Sequence, residues 1–224
     1  MERQLAFDLS LREAQGREDF FVAPSNALAL AALDAPGNWP QGKLVLIGPE
    51  GAGKSHLAQI WADAHGARIV SAAALNEGLA PQLTTARAVV IEDADRIGGQ
   101  PQAEAALFHL HNLLAADAGF LLVTARTPPR DWQLGLPDLA SRMQASATAR
   151  LEPPDDALLA AVLVKLFADR QISVAPALIP WLVTRIDRSF ATARRVVAAL
   201  DARALQKGAA VTRALAAEVL DTLP

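Results

Sequence analysis

Residues 48–55 read Gly48-Pro49-Glu50-Gly51-Ala52-Gly53-Lys54-Ser55, a complete GxxxxGK[ST] pattern, directly after the apolar run Leu44-Val45-Leu46-Ile47 and directly before a helix-forming stretch that begins near Lys54. A strand, a glycine-rich turn and a helix in that order build a phosphate cradle. The glycines let the backbone curl so that successive N–H groups and the positive end of the helix dipole face an anion. Lys54 reaches the outer phosphates, and the Ser55 hydroxyl is suited to ligating Mg²⁺. The expected phosphate-side contacts of a nucleotide, ADP or ATP, are therefore Gly48, Glu50, Gly51, Ala52, Gly53, Lys54, Ser55 and His56.

Outward from this loop, strand candidates recur at 44–47, 68–70, 88–91, 120–124 and 148–151, with helical segments between them, notably 54–65 and 102–116. Strands alternating with helices predict an α/β fold in which a parallel sheet is flanked by helices and ligands bind at the carboxyl ends of the strands. Upstream, Pro24-Ser25-Asn26 followed by the apolar stretch 27–33 predicts a capped helix ending before Pro36-Gly37. After Glu152-Pro153-Pro154-Asp155-Asp156 the strand signals stop, and helix-like stretches follow at 156–170, 175–186, 189–206 and 211–222. The proline pair breaks any element and the acidic pair suits a helix start, because negative charge interacts well with the N-terminal end of the dipole. The expected division is an extended tail over 1–18, a nucleotide-binding α/β domain over 19–153 and a small all-α lid over 154–224.

The chain has 224 residues, 52% hydrophobic and 20% charged, the composition of an ordinary globular protein able to bury a sizeable core. Without cysteine it has neither disulfides nor thiolate metal sites, and its 4 scattered histidines form no ligand pattern. No apolar run approaches a membrane span, and Met1-Glu2-Arg3-Gln4 does not begin a signal peptide, so the expectation is a cytoplasmic protein without membrane contact. A net charge of −3 argues against broad electrostatic coating of nucleic acid.

The strand Ala88-Val89-Val90-Ile91 ends in Glu92-Asp93, where a phosphate-loop protein positions acidic residues beside Mg²⁺ and near the attacking water. Acidic residues also end strands merely because solvent is there. The phosphate loop about forty residues upstream favours a Walker B element, with Glu92 joining Ser55 as a metal contact and Asp93 in a catalytic position.

The phosphate loop, the Walker B strand, the strand end at Thr124 and the helical lid together resemble an AAA+ module. Within that class Phe21-Val22-Ala23-Pro24-Ser25-Asn26 is similar to the lead-in segment of the DnaA replication initiators. Leu122-Val123-Thr124 with Pro128-Pro129-Arg130, and Leu136-Pro137-Asp138-Leu139-Ala140-Ser141-Arg142, resemble the sensor 1 and arginine-finger regions of DnaA and especially of the short Hda-type homologues. The similarity runs from about Asp19 to the end of the chain. It implies that Phe21, Val22 and Asn26 lie near the adenine and that Arg142 is an arginine finger acting in trans on ATP held by the initiator. An arginine at the end of a short helix is, by itself, more often a solvated surface residue. The surrounding heptapeptide reverses that weighting.

Further partners follow from the same resemblance. Gln4-Leu5-Ala6-Phe7-Asp8-Leu9 is similar to the short peptide by which such regulators dock on the sliding clamp, the β subunit of DNA polymerase III. Leu5, Phe7 and Leu9 would be apolar anchors and Gln4 a polar one. No counterpart of the initiator's helix-turn-helix domain follows the lid in this sequence, so sequence-specific DNA binding is not expected, and a homodimer is left open. Three positions depart from the family pattern. Glu92 stands where aspartate is usual, Arg126 where the initiator is acidic, and Ala191 where the initiator carries its phosphate-contacting sensor 2 arginine, with Arg194 next along a similar face. These changes predict nucleotide binding with slow intrinsic hydrolysis, because binding and transition-state stabilisation draw on different residues. The expected activity is thus regulation of initiation at the replisome and nucleoid by stimulating hydrolysis of initiator-bound ATP. The alternatives are an independent ATPase or helicase-loader-like remodeller, and a non-hydrolysing interaction module.

Overall fold

The computed structural model describes residues 21–223. Its centre is a five-stranded parallel sheet of β1 (Lys43–Ile47), β2 (Arg68–Ser71), β3 (Ala88–Glu92), β4 (Phe120–Ala125) and β5 (Ala147–Arg150), in the order β2-β3-β4-β1-β5. All five residues of β1 are buried, Lys43 included, and its apolar run Leu44–Ile47 is what a strand covered on both faces requires. The alternation of side chains divides the sheet between two cores. Leu44, Leu46, Val90 and Leu122 meet Leu57, Ala58 and Trp61 of α2 (Lys54–His65) and Ala29 and Leu33 of α1 (Ala27–Leu33). Val45, Ile47, Val89, Ile91, Leu121 and Val123 face the other way. They pack on α3 (Ala80–Leu83), α4 (Pro101–Ala116) and α5 (Pro137–Ala145).

Four further helices, α6 (Asp156–Asp169), α7 (Leu178–Val183), α8 (Phe190–Lys207) and α9 (Arg213–Thr222), enclose a separate apolar cluster that includes Leu163, Phe167, Leu182, Val197 and Leu215. Three of them start on a true side-chain cap: Asp155, Ser189 and Thr212 accept N–H groups of Leu158, Thr192 and Leu215. Each cap satisfies a donor that the first helical turn would otherwise leave open.

Two local expectations are corrected. Asn26 precedes α1, yet its side chain does not cap it; Oδ1 accepts from Ala23 N at 2.9 Å and Nδ2 donates to Phe21 O at 2.9 Å. The residue ties the lead-in segment back on itself. Helix α7 is confined to Leu178–Val183 instead of 175–186. Residues 184–186 close a turn onto Leu182 O, and Ser189 must be extended to cap α8.

Candidate functional site

The phosphate loop leaves the central strand as a continuation of the sheet. Gly48 N donates to Ala125 O at 3.1 Å and Leu151 N to Ile47 O at 2.7 Å, so the loop is anchored on both neighbouring strands. Gly53, at φ 97°, turns the chain into α2, a conformation that L side chains rarely adopt. Among the described residues no backbone carbonyl takes the N–H of Gly51 or Gly53, and Lys54 and Ser55 open α2 with the unpaired N–H groups of any first helical turn. These donors form the anion-accepting concavity that the sequence pattern demands.

Lys54 is 7% exposed, and its ammonium donates to Gly48 O at 2.8 Å and Pro49 O at 2.9 Å. An ammonium has three donors, so two brace the loop and one remains for a phosphate oxygen. Burial pushes its pKa below the usual lysine value, while the nearby carboxylates of Asp93, Asp95 and Glu50 act in the opposite sense.

Glu92 ends β3, and one of its carboxylate oxygens is buried without a partner among the described residues. That orphaned oxygen, together with the exposed Ser55, fits a Mg²⁺ ion that keeps most of its ligands as water and phosphate. Asp93 takes the left-handed conformation at φ 56° and ψ 42°, turning the chain sharply after the strand, and its N–H donates to Thr124 Oγ1 at 3.1 Å. Thr124, 1% exposed at the end of β4, is therefore bound to the turn that follows β3. Asp95 accepts from Arg126 N at 3.3 Å and Arg126 Nε at 3.0 Å. The positive residue that departs from the family pattern is thus a brace between the two loops.

The helical cluster reaches the phosphate loop through the start of α8. Phe190 N donates to Gly51 O at 2.8 Å, a Cβ on Gly51 would lie 1.9 Å from Ser189 Oγ, and one on Gly53 would lie 3.1 Å from the Phe190 ring. Ala191, at the expected sensor 2 position, is beside Gly51 but carries only a methyl group. Arg194 is half-buried about one turn farther along. The sequence points to Phe190 through its place after a helix cap and directly before Ala191, the expected sensor 2 position.

Phe21 and Val22 are 57% and 56% exposed, whereas Asn26 is 4% exposed. Glu152 N donates to Ser25 O at 3.1 Å, and Leu151 touches Gly48, so the lead-in segment runs beside the phosphate loop. Gly48 through His56, Glu92, Asp93, the start of α8 and residues 21–26 are therefore brought together. Arg142 is not among them. It is exposed in the last turn of α5, its guanidinium 5.9 Å from the Phe108 ring centroid, and it lines a cavity with Lys43, the first residue of β1. The phosphate loop follows the last residue of that strand, so about 16 Å of strand separates the two ends. Gln4, Leu5, Phe7 and Leu9 lie outside the described residues.

No family model matches the chain. Among solved structures, it is similar to domain III of the Thermotoga maritima replication initiation protein DnaA, with a TM-score of 0.79 and 21% identity over 93% of this chain and 96% of that one. It also resembles AMPPCP-bound DnaA from Aquifex aeolicus, at TM-score 0.67 and 17% identity, covering 84% of this chain and 65% of the other. A third similar structure is the Thermotoga maritima RuvB Holliday junction branch migration motor, at TM-score 0.67 and 20% identity over 88% and 67%. The chain thus has an AAA+ fold and spans about two thirds of the longer proteins it resembles.

Proposed function

We propose that this chain is a nucleotide-bound, DnaA-related AAA+ regulator of the Hda type, which docks on the sliding clamp and stimulates hydrolysis of ATP held by the initiator DnaA. The observation that carries the reading is the separation of the phosphate loop and Arg142 at opposite ends of the sheet. A phosphate loop with free N–H groups and a spare Lys54 donor stands at the carboxyl end of β1. The exposed Arg142 stands at the other end, out of reach of that loop and available to another molecule.

In this reading the protein's own nucleotide, ADP or ATP, is chiefly structural. Gly51, Gly53, Lys54 and Ser55 hold its phosphates, and residues 21–26 border the base, where the exposed rings and methyls of Phe21 and Val22 would gain cover. Mg²⁺ at Ser55 and Glu92 would neutralise phosphate charge. Asp93 has the position to orient water, but its carboxylate is also 3.8 Å from Arg96. Ala191 supplies no cation at the expected sensor 2 position, which supports slow turnover in this site, and Arg194 about one turn farther along α8 is the side chain that would take over that contact. Arg142 would present a planar fork of donors to the γ-phosphate of the initiator's ATP and stabilise charge that develops only in the transition state. The division into tail, α/β domain and lid belongs to the same proposal, and the separate apolar cluster of α6–α9 supports it.

The decisive experiment mixes initiator–ATP, clamp loaded on DNA and this protein, and measures phosphate release. Arg142→Ala is expected to lose about a thousandfold or more of the stimulation while retaining ADP affinity and thermal stability. Lys54→Ala is expected to lose nucleotide affinity instead. Near wild-type stimulation by Arg142→Ala overturns the finger role. Robust turnover by the isolated protein establishes the independent ATPase, and no stimulation by the wild type leaves an interaction module.

A further inference from the structure

A cavity of about 310 Å³ opens at the amino end of the sheet, between β1, α4 and α5. Lys43, His111 and Arg142 line it, together with Asp138, Ser141 and Ser146. Two of these cationic or imidazole side chains come from the interior. Lys43 is 2% exposed and its ammonium makes one hydrogen bond, to Gly119 O at 3.1 Å, which leaves two donors. His111 is 1% exposed; its ring hydrogen-bonds with the Asn112 side chain, and its Nδ1 is buried with no partner among the described residues. A buried ammonium held by a single carbonyl among the described residues is a costly arrangement that an anion would offset.

Charge and size agree. Lys43 and Arg142 place two cations at the cavity against the single carboxylate of Asp138. Burial lowers the Lys43 pKa to about 8, so it stays charged at neutral pH, and burial with the Lys43 and Arg142 charges lowers that of His111 to about 4 against the raising effect of its hydrogen bond with Asn112, so the ring is neutral. Water occupies about 30 Å³ in the liquid, so the space accommodates an ion of several heavy atoms with part of its hydration.

We infer that this cavity is a second phosphate-group site, separate from the phosphate loop, in which Lys43 forms the floor beside the His111 ring and Arg142 the mouth. The site does not depend on the regulatory function proposed above. It does have a consequence for it: a phosphate group held here would engage the arginine proposed to act in trans.

The test uses the full chain with its phosphate loop saturated with ADP. The His111 imidazole ¹H–¹⁵N signals are followed while sodium phosphate is added, with sodium chloride at matched ionic strength as the control and a non-hydrolysable ATP analogue as a parallel arm. A saturable His111 shift is expected, weakened about tenfold or more in Lys43→Met, where a charged hydrogen-bond donor is lost. Because Lys43 is buried and its variant could misfold, the exposed Arg142→Gln provides the same comparison. A shift with phosphate alone assigns free phosphate as the ligand, and an equal shift with the analogue assigns the terminal phosphate of a nucleotide. No saturable shift with either, an equal shift with chloride, or unchanged affinity in both variants overturns the site.

Discussion

Individual residues in this protein are tuned by what surrounds them more than by their chemistry alone. Lys54 is an ordinary phosphate-loop lysine by position, but two of its three donors hold the loop itself. Its removal should therefore disturb the empty loop as well as the nucleotide complex. Asp95 likewise has no role legible from its place in the Walker B turn until Arg126 is found against it. His111 shows how burial converts into a measurable pH response. Its folded pKa of about 4 lies below the unfolded value of about 6.5, so the unfolded chain binds more protons between those limits. Stability attributable to this ring is present above pH 6.5 and lost as pH falls towards 4. The loss amounts to about 3 kcal/mol at most. Urea unfolding in phosphate-free buffer should show a steeper decline between pH 6.5 and 4 for the wild type than for His111→Gln, and parallel curves would contradict the assignment.

At the level of elements, the placement of α5 rests on a side chain that carries no sequence signal. Glu104 of α4 is 2% exposed, and its carboxylate accepts from Gly99 N at 2.9 Å, Gly135 N at 3.1 Å and Leu136 N at 2.7 Å. Gly99 belongs to the loop after the Walker B turn, and Leu136 is the residue before α5. One buried charge, compensated by three backbone donors, thus locks both loops and the start of the helix that bears Arg142. Glu104→Gln keeps the shape but turns one acceptor into a donor facing N–H groups, and it should cost about 2–4 kcal/mol. Urea denaturation measures this directly, and a loss below about 1 kcal/mol would show that the loops are held by packing alone. Asn26 teaches the reverse lesson. Its residue type suits a forward helix cap, yet the backbone at φ −128° and ψ −11° leaves its side chain to Ala23 and Phe21. Propensity identifies a residue able to cap, whereas geometry selects the group it meets.

For the whole molecule, the proposed activity requires the tail, the nucleotide-binding fold and Arg142 to act on one partner assembly. Concentrated apolar anchors dominate short-peptide docking, so replacing Gln4, Leu5 and Phe7 together with alanine should abolish co-elution with the clamp and leave the melting temperature unchanged. Normal co-elution of that variant would remove the clamp from the proposal. Much of the architecture was determined by sequence alone, because it follows from local patterns: the apolar run of β1, the glycine spacing at 48–55, and strand–helix alternation predict a parallel sheet with its ligand end at the phosphate loop, and the structure has that sheet. The phosphate-loop residues are consecutive, so spacing was enough to group them. Tertiary structure alone decided the contacts between distant segments. It placed the Phe190 ring against Gly53, paired Arg126 with Asp95, and put Lys43, His111 and Arg142 around one cavity. These groups are separated by tens of residues and share no period or motif, so their meeting depends on strand order and helix packing, which fix distances that no local pattern contains.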